Sequence, residues 1–338
     1  MKLAIYFPLS FLILSSCVIP NNDCGYKYSM GDFPTAPTNL TEYNSEYDDY
    51  NCSAPGTGAT FPFCFSSNRR SKGGSFDIVY KPTTVYFDFT TGDFSVFEET
   101  NSNSEYSDPT YFPALIESVN GPTNEFGPYL ISEGAITKKS YHYSQIPFFY
   151  LLFAREENDQ LDVMYTNFDG YIYPLKFLNT VYDDAYPSFS DDLASMYFTS
   201  NREGQFDIFT VNTNTGDDLA HILIKDSLEI EKNETLSSSA DDKCPFIYGD
   251  LIVFTSDRPG GFGGFDLYYS RKENGQWNKP VNFGPSINTE YDEYRPIIKP
   301  FWEFSHDMMI FSSNRPGGKG GFDLYYVGIE KIETNKYE

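Results

Sequence analysis

Short apolar runs bounded by Gly, Pro, Asn and Asp recur along the chain, with apolar and polar positions alternating and no helical period competing. Residues 253–269 read VFTSDRPGGFGGFDLYY, 310–326 read IFSSNRPGGKGGFDLYY, 197–209 read YFTSNREGQFDIF and 63–80 read FCFSSNRRSKGGSFDIVY. A worn copy, LLFAREENDQLDVMY, occupies 151–165. Each copy predicts a strand that ends in a small residue and an arginine: Arg69, Arg155, Arg202, Arg258 and Arg315. A loop follows, and an aspartate opens a second strand: Asp77, Asp162, Asp207, Asp266 and Asp323.

Four copies carry an acidic or amide pair ahead of a proline: Asn124-Glu125, Asp183-Asp184, Asp241-Asp242 and Asp292-Glu293. In the first copy Asp48-Asp49 reaches Pro55 by a longer, cysteine-bearing route. Successive motif aspartates lie 85, 45, 59 and 57 residues apart. Repeats of that length, each with room for four short strands, predict an all-β chain folded as a single β-propeller of four-stranded blades. Five copies favour five blades. Six are allowed by the 85-residue gap, where VYFDFTTGDFSVFEE (85–99) reads as a hairpin elaborating blade one. The predicted organisation is a signal peptide at 1–16, a tether at 17–44, the propeller at 45–332 and a tail at 333–338.

The run P-S-F-S-D-D…Y-F-T-S-N-R-E-G-Q-F-D-I-F (187–209) resembles the propeller repeat of the TolB family. The longer form, W-N-K-P-V-N-F-G-P-S-I-N-T-E-Y-D-E-Y-R-P followed by F-S-S-N-R-P-G-G-K-G-G-F-D-L-Y-Y, resembles the WD-repeat-like propellers found beside OmpA-type domains in envelope lipoproteins. The resemblance covers roughly residues 45–330 and is strongest over 182–330. It implies a non-enzymatic platform that docks envelope proteins or, at times, glycans. The wall-binding domain often fused to such propellers has no counterpart in this sequence.

The glycine-rich loop itself invites comparison with a phosphate cradle. That reading needs a strand-to-helix transition, and none is predicted. A feature repeated five times reads as scaffold, whereas a site is needed once. Each arginine is therefore expected to clasp the acidic pair of the same blade: Arg202 to Asp183 or Asp184, Arg258 to Asp241 or Asp242, Arg315 to Asp292 or Glu293. The motif aspartates are expected to accept loop N–H groups, and the glycines to supply positive φ. Asp183, Asp184, Asp241, Asp242, Tyr291, Asp292, Glu293 and Tyr294 mark a candidate partner-binding face; Phe262 and Trp277 are weighed between partner contact and packing.

No nucleophile elbow occurs, and nothing singles out a catalytic acid and base, so the expectation is a protein that is not an enzyme. The alternative is a carbohydrate-active module, binding or hydrolysing a glycan in the central funnel; a pair of acids among aromatics there would favour it. His142, His221 and His306 are scattered, and His306-Asp307 reads as a turn. No cofactor is expected; of metals, calcium would suit the acid-rich loops, although no complete D-x-D-x-D-G loop occurs.

The 338 residues carry a formal charge of −24, which excludes nucleic acid as a natural partner. MKLAIYFPLSFLILSSC has the shape of a short h-region, and Leu14-Ser15-Ser16-Cys17 resembles a bacterial lipobox, which implies acylation of Cys17. The expectation is an outer-membrane protein held by lipid alone, on the periplasmic face. Four further cysteines, Cys24, Cys52, Cys64 and Cys244, allow two disulfides in three connectivities.

Overall fold

The computed structural model describes residues 26–56, 58–100, 111–132, 149–167, 169–213 and 216–331; Cys17, Cys24, His142 and the 333–338 tail lie outside them. The described residues are all-β apart from two short helices, Phe112–Glu117 and Leu219–Leu223, and their strands form six antiparallel sheets. Blade one holds Asp49–Ser53, Cys64–Ser67 and Asp77–Tyr80. Blade two holds Asn124–Ser132, Phe149–Glu157, Gln160–Thr166 and Ile172–Pro174. Blade three holds Asp184–Phe189, Ser195–Ser200, Asp207–Asn212 and Glu229–Lys232. Blade four holds Asp242–Tyr248, Leu251–Ser256, Asp266–Glu273 and the short outer strands Gln276–Trp277 and Val281–Asn282. Blade five holds Glu293–Lys299, His306–Ser313 and Asp323–Glu330, completed by Thr38–Asn39 from the other end of the chain.

The first strand of each repeat-bearing blade is innermost. These five strands touch in cyclic order, one to two to three to four to five and back to one. The sixth sheet is Thr60–Phe61, Thr83–Phe87 and Phe94–Glu98. It contains the 85–99 hairpin, whose turn is held by Asp88 accepting the N–H groups of Thr90 and Thr91. The sequence favoured five blades and allowed six; six sheets are present, five bearing the repeat and the sixth built on the hairpin.

Neighbouring sheets bury apolar layers between them. Phe65, Phe61 and Phe87 meet Ile310 and Tyr326; Leu151 and Phe153 meet Ile78; Phe198 and Phe209 meet Leu152 and Val163. Ile252 and Phe254 meet Tyr197 and Ile208, and Met309 and Phe311 meet Val253 and Leu267. The helix Phe112–Glu117 adds Phe112, Leu115 and Ile116 to the layer between blades one and two. At six residues it is too short to show a period in sequence.

Residues 26–44, within the span read as a tether, are part of the folded body. Thr38–Asn39 pairs with the last strand at Tyr326 and Tyr325, Leu40 N–H donates to the Leu324 carbonyl, and Phe33, Leu40 and Tyr43 are buried. Asn44 both donates to the Leu324 carbonyl and accepts its N–H. The two ends of the propeller thus close the ring in one sheet.

Cys52, Cys64 and Cys244 are buried free thiols. Among the described residues no disulfide joins these three, and Cys24, the fourth cysteine of the two possible bridges, lies outside them; desolvation pushes the Cys52 and Cys64 thiols up, Cys52 to about 12, and Cys244 lies at the axis in another blade.

Candidate functional site

The five arginines and five acids meet in one layer. Arg69 lies 2.5 Å from Asp49, Arg202 2.6 Å from Asp184, Arg258 2.5 Å from Asp242 and Arg315 2.9 Å from Glu293; each carboxylate is fully buried. Each guanidinium also donates to a carbonyl of the preceding link, at Tyr43, Leu178, Leu236 and Ile287. A serine hydroxyl at Ser67, Ser200, Ser256 or Ser313 accepts its Nε–H. In blade two the pair is looser: Arg155 is 3.3 Å from Glu125, and Glu125 Oε2 has no partner. The Asp48-Asp49 pair occupies the same place as the others although no proline follows it closely.

The first member of each pair ties one blade to the next. Asn124, Asp183, Asp241, Asp292 and Asp48 accept the N–H of Phe76, Leu161, Phe206, Phe265 and Phe322, each the residue just before the motif aspartate of the preceding blade. Asp266 accepts from Phe262 and Gly263, and Asp323 from Lys319 and Gly320. The loop N–H groups that would cradle a phosphate are thus already engaged. Gly260 and Gly317 take positive φ, whereas Gly264 and Gly321 are glycine for another reason: a Cβ there would collide with the Asp292 and Asp48 carboxylates.

Every inner strand bulges two residues past its buried acid. Asn51, Gly127, Tyr186, Cys244 and Arg295 all have φ between 50° and 58°. At four junctions the bulge N–H donates to a hydroxyl of the neighbouring blade: Ser312, Ser66, Thr199 and Thr255 receive Asn51, Gly127, Cys244 and Arg295. At the junction of blades two and three that position is Ala154, which has no hydroxyl.

The bulge turns these five side chains onto the axis. Arg295 stacks over Tyr186 at 5.0 Å, and a Cβ on Gly127 would collide with that ring. Among the described residues no acid pair occupies the axis. Above it, on the loop face, the residue before each bulge meets the aromatic residue that ends the previous loop. Tyr50 contacts Phe322, Phe76 and Phe126; Tyr294 contacts Phe265 and Phe322; Lys243 lies over Phe206 and Phe265. All of these are partly exposed, so they form an aromatic collar around the mouth. The collar is interrupted at one place, where Leu161 meets Ala185.

That interruption coincides with a change in the loop. Blade two replaces the long Gly-rich loop with a tight turn in which Asn158 and Asp159 take positive φ. The shorter loop leaves a notch of about 450 Å³ lined by Pro122, Thr123, Asn124, Glu156, Glu157 and Asp159. Two of these, Asn124 and Asp159, stand two residues from the collar members Phe126 and Leu161.

The residues grouped from sequence as one partner-binding face divide in the structure. Asp184, Asp242 and Glu293 are fully buried in the clasp layer and cannot meet a partner; Asp183, Asp241 and Asp292 bind loop N–H groups; Tyr294 belongs to the collar; Tyr291 is exposed. Phe262 is exposed, while Trp277 packs on Tyr197 and donates to its hydroxyl. His306 opens a strand instead of sitting in a turn, and its Nδ1 lies 2.9 Å from Asp32. Burial pushes Glu125 and Glu293 up in pKa. The collar and notch escaped sequence reading because they depend on which positions of different repeats face the axis; the worn character of 151–165 was the available signal. Among the described residues no group of three or more His, Cys, Asp or Glu is placed to hold a metal ion.

No family model and no curated protein matches the sequence. Solved structures match it in fold. The catalytic domain of a Coprinopsis cinerea GH62 α-L-arabinofuranosidase is 9% identical, with 89% of this chain and 98% of that one covered and a TM-score of 0.47. A thermostable family-43 glycoside hydrolase is 9% identical, with 84% and 90% covered and a TM-score of 0.49. A structure described as a TolB from Agrobacterium tumefaciens is 13% identical, with 80% and 71% covered and a TM-score of 0.37. The expectation of a non-enzymatic protein-docking scaffold is corrected here, since glycoside hydrolases recur among the propellers this chain is similar to. At these identities the likeness concerns the fold, and the site must carry the function.

Proposed function

We propose that this chain is a carbohydrate-active protein that holds a glycan across the aromatic collar, with the blade-two notch as its reactive end. The observation that carries the reading is the coincidence of departures from the repeat. The short loop, the loose Arg155–Glu125 pair, Ala154 and the Leu161–Ala185 gap all involve blade two. They set an acid-lined notch of ligand size beside partly exposed aromatic rings. Sugar rings present apolar C–H faces that stack on Tyr50, Phe126 and Tyr294, and hydroxyls that suit the notch carboxylates. Glu156, which accepts from Asn124 at 2.6 Å, and Glu157 are the acids in position for acid–base work on a glycosidic bond.

The test is a panel of plant and bacterial polysaccharides assayed for binding and for release of reducing sugar. Tyr50→Ala is expected to weaken binding about tenfold, equivalent to about 1.4 kcal/mol. Glu157→Gln is expected to abolish release while leaving binding intact. Binding that neither substitution alters would contradict the reading, as would a panel with no ligand in it. The lipid anchor at Cys17 and a periplasmic position are part of the same proposal. Palmitate labelling that is lost in Cys17→Ala is the expected result, and labelling that persists would remove the anchor from the account.

A further inference from the structure

Each of the five repeat arginines faces a carboxylate, but Arg295 does not. Its side chain stands at the propeller axis with 1% exposure. Nε and Nη1 have no hydrogen-bond partner, and Nη2 reaches the Pro128 carbonyl only at 3.5 Å. The groups around it are neutral: Tyr186, Tyr129, Cys52, Cys64 and Cys244, whose thiol is hydrogen-bonded to the guanidinium. A thiolate could in principle supply the missing charge. Burial excludes that, pushing the Cys244 thiol up to about 11 and Cys52 to about 12 even with Arg295 nearby. A second orphan lies in the same layer: Asn51 Oδ1 is buried without a partner, and Asn51 Nδ2 is 3.5 Å from the Tyr186 hydroxyl.

An unpaired buried guanidinium is among the costlier features a fold can carry, because both its charge and its N–H groups have left water. We propose that a small monovalent anion, a halide or a carboxylate group, sits at the axis beside Arg295 Nε and Nη1 and supplies the missing charge. The site is local in character. The chain carries −24 and repels anions from its surface, so saturable anion binding reports a particular buried cation and not the protein's general field.

The experiment is thermal unfolding of the purified protein at constant ionic strength, with chloride replacing gluconate stepwise, for the wild type and Arg295→Met. The wild-type midpoint is expected to rise by several degrees and then saturate, as ligand linkage requires, and the variant to show no dependence. Flat wild-type curves with both chloride and formate, or equal dependence in both proteins, would overturn the site. Formate in place of chloride separates the two sources: stabilisation by chloride alone assigns a halide, and stabilisation by formate alone assigns a carboxylate. Should Arg295→Met fail to fold, bromide-soaked wild-type crystals give the same decision. An anomalous peak beside Nε and Nη1 supports the proposal, and its absence together with a flat formate curve overturns it.

Discussion

Blades four and two contain the same elements in the same order, yet they differ in what those elements are free to do. In blade four, Arg258 sits 2.5 Å from Asp242, with Ser256 and the Leu236 carbonyl completing its bonds, and the long loop folds down onto the next link. In blade two the pair is 3.3 Å apart, one carboxylate oxygen is orphaned, the loop is a tight turn and a notch opens beside it. In blade four the motif is complete, and its charged groups are consumed in holding blades together. Where it has decayed, carboxylates and apolar surface become available on the same face. A repeat protein can place a single site on a symmetric frame by letting one unit depart from the pattern.

That contrast can be broken most sharply at the clasp. Arg258→Met leaves Asp242 buried with no counter-charge, and a loss of about 3–5 kcal/mol is expected in denaturant unfolding. Arg155→Met should cost less than half of that, because burial raises the Glu125 pKa and makes it easier for the unpaired carboxylate to take up a proton. Equal losses would show that blade two is as tightly clasped as the rest.

Inner strands also differ further along their length. Blade five carries Lys299, fully buried, donating to the Gly56 carbonyl and lying 4.0 Å from the Phe61 ring centre; the corresponding residue of blade two is Ile131. Burial lowers the Lys299 ammonium from the usual lysine range to about 7. A depressed lysine is neutral in the fold at a pH where the unfolded chain still binds the proton, so stability rises with pH above about 7. Between pH 7 and 8.5 the wild type should gain about 2 kcal/mol relative to Lys299→Met, at up to about 1.4 kcal/mol per pH unit. A constant difference between the two proteins would show that this lysine titrates normally.

Smaller effects sharpen the comparison. Ala154→Ser restores the hydroxyl that four other junctions use to receive a bulge N–H, and a gain of about 0.5–1 kcal/mol is expected at the junction of blades two and three. A loss would mean that the apolar packing at Ala154 outweighs the bond. At the far end of the scale, Lys176→Ala breaks a fully surface pair with Asp226, and melting should shift by no more than the effect of about 0.5 kcal/mol.

Much of the frame was legible because it is written several times. The strand, arginine, loop and aspartate order gave the blades, and comparing copies distinguished a turn from a phosphate cradle. Closure was not legible, since Thr38–Asn39 is a two-residue strand in a proline-bearing segment with no repeat to compare it with. The division of the acidic pairs was half legible. Sequence paired each arginine with one of two neighbouring acids, and only the alternation along the inner strand sends the second acid to the arginine and the first to the previous loop. The axis was hidden altogether. Asn51, Gly127, Tyr186, Cys244 and Arg295 share one backbone conformation but no chemistry, so no motif marks them. Cysteine pairing was illegible for a related reason: counting cysteines says nothing of which blade layer each one enters.

The central claim is that function gathers where blade two departs from the repeat, and a crystal of the protein soaked with an oligosaccharide chosen from the binding panel tests it most directly. The account predicts sugar density on the loop face, stacked on Tyr50 and Phe126 and running into the notch at Glu156 and Glu157. Density confined to the groove beside Tyr165, Tyr173 and His221, at the outer edge of blades two and three, would contradict it.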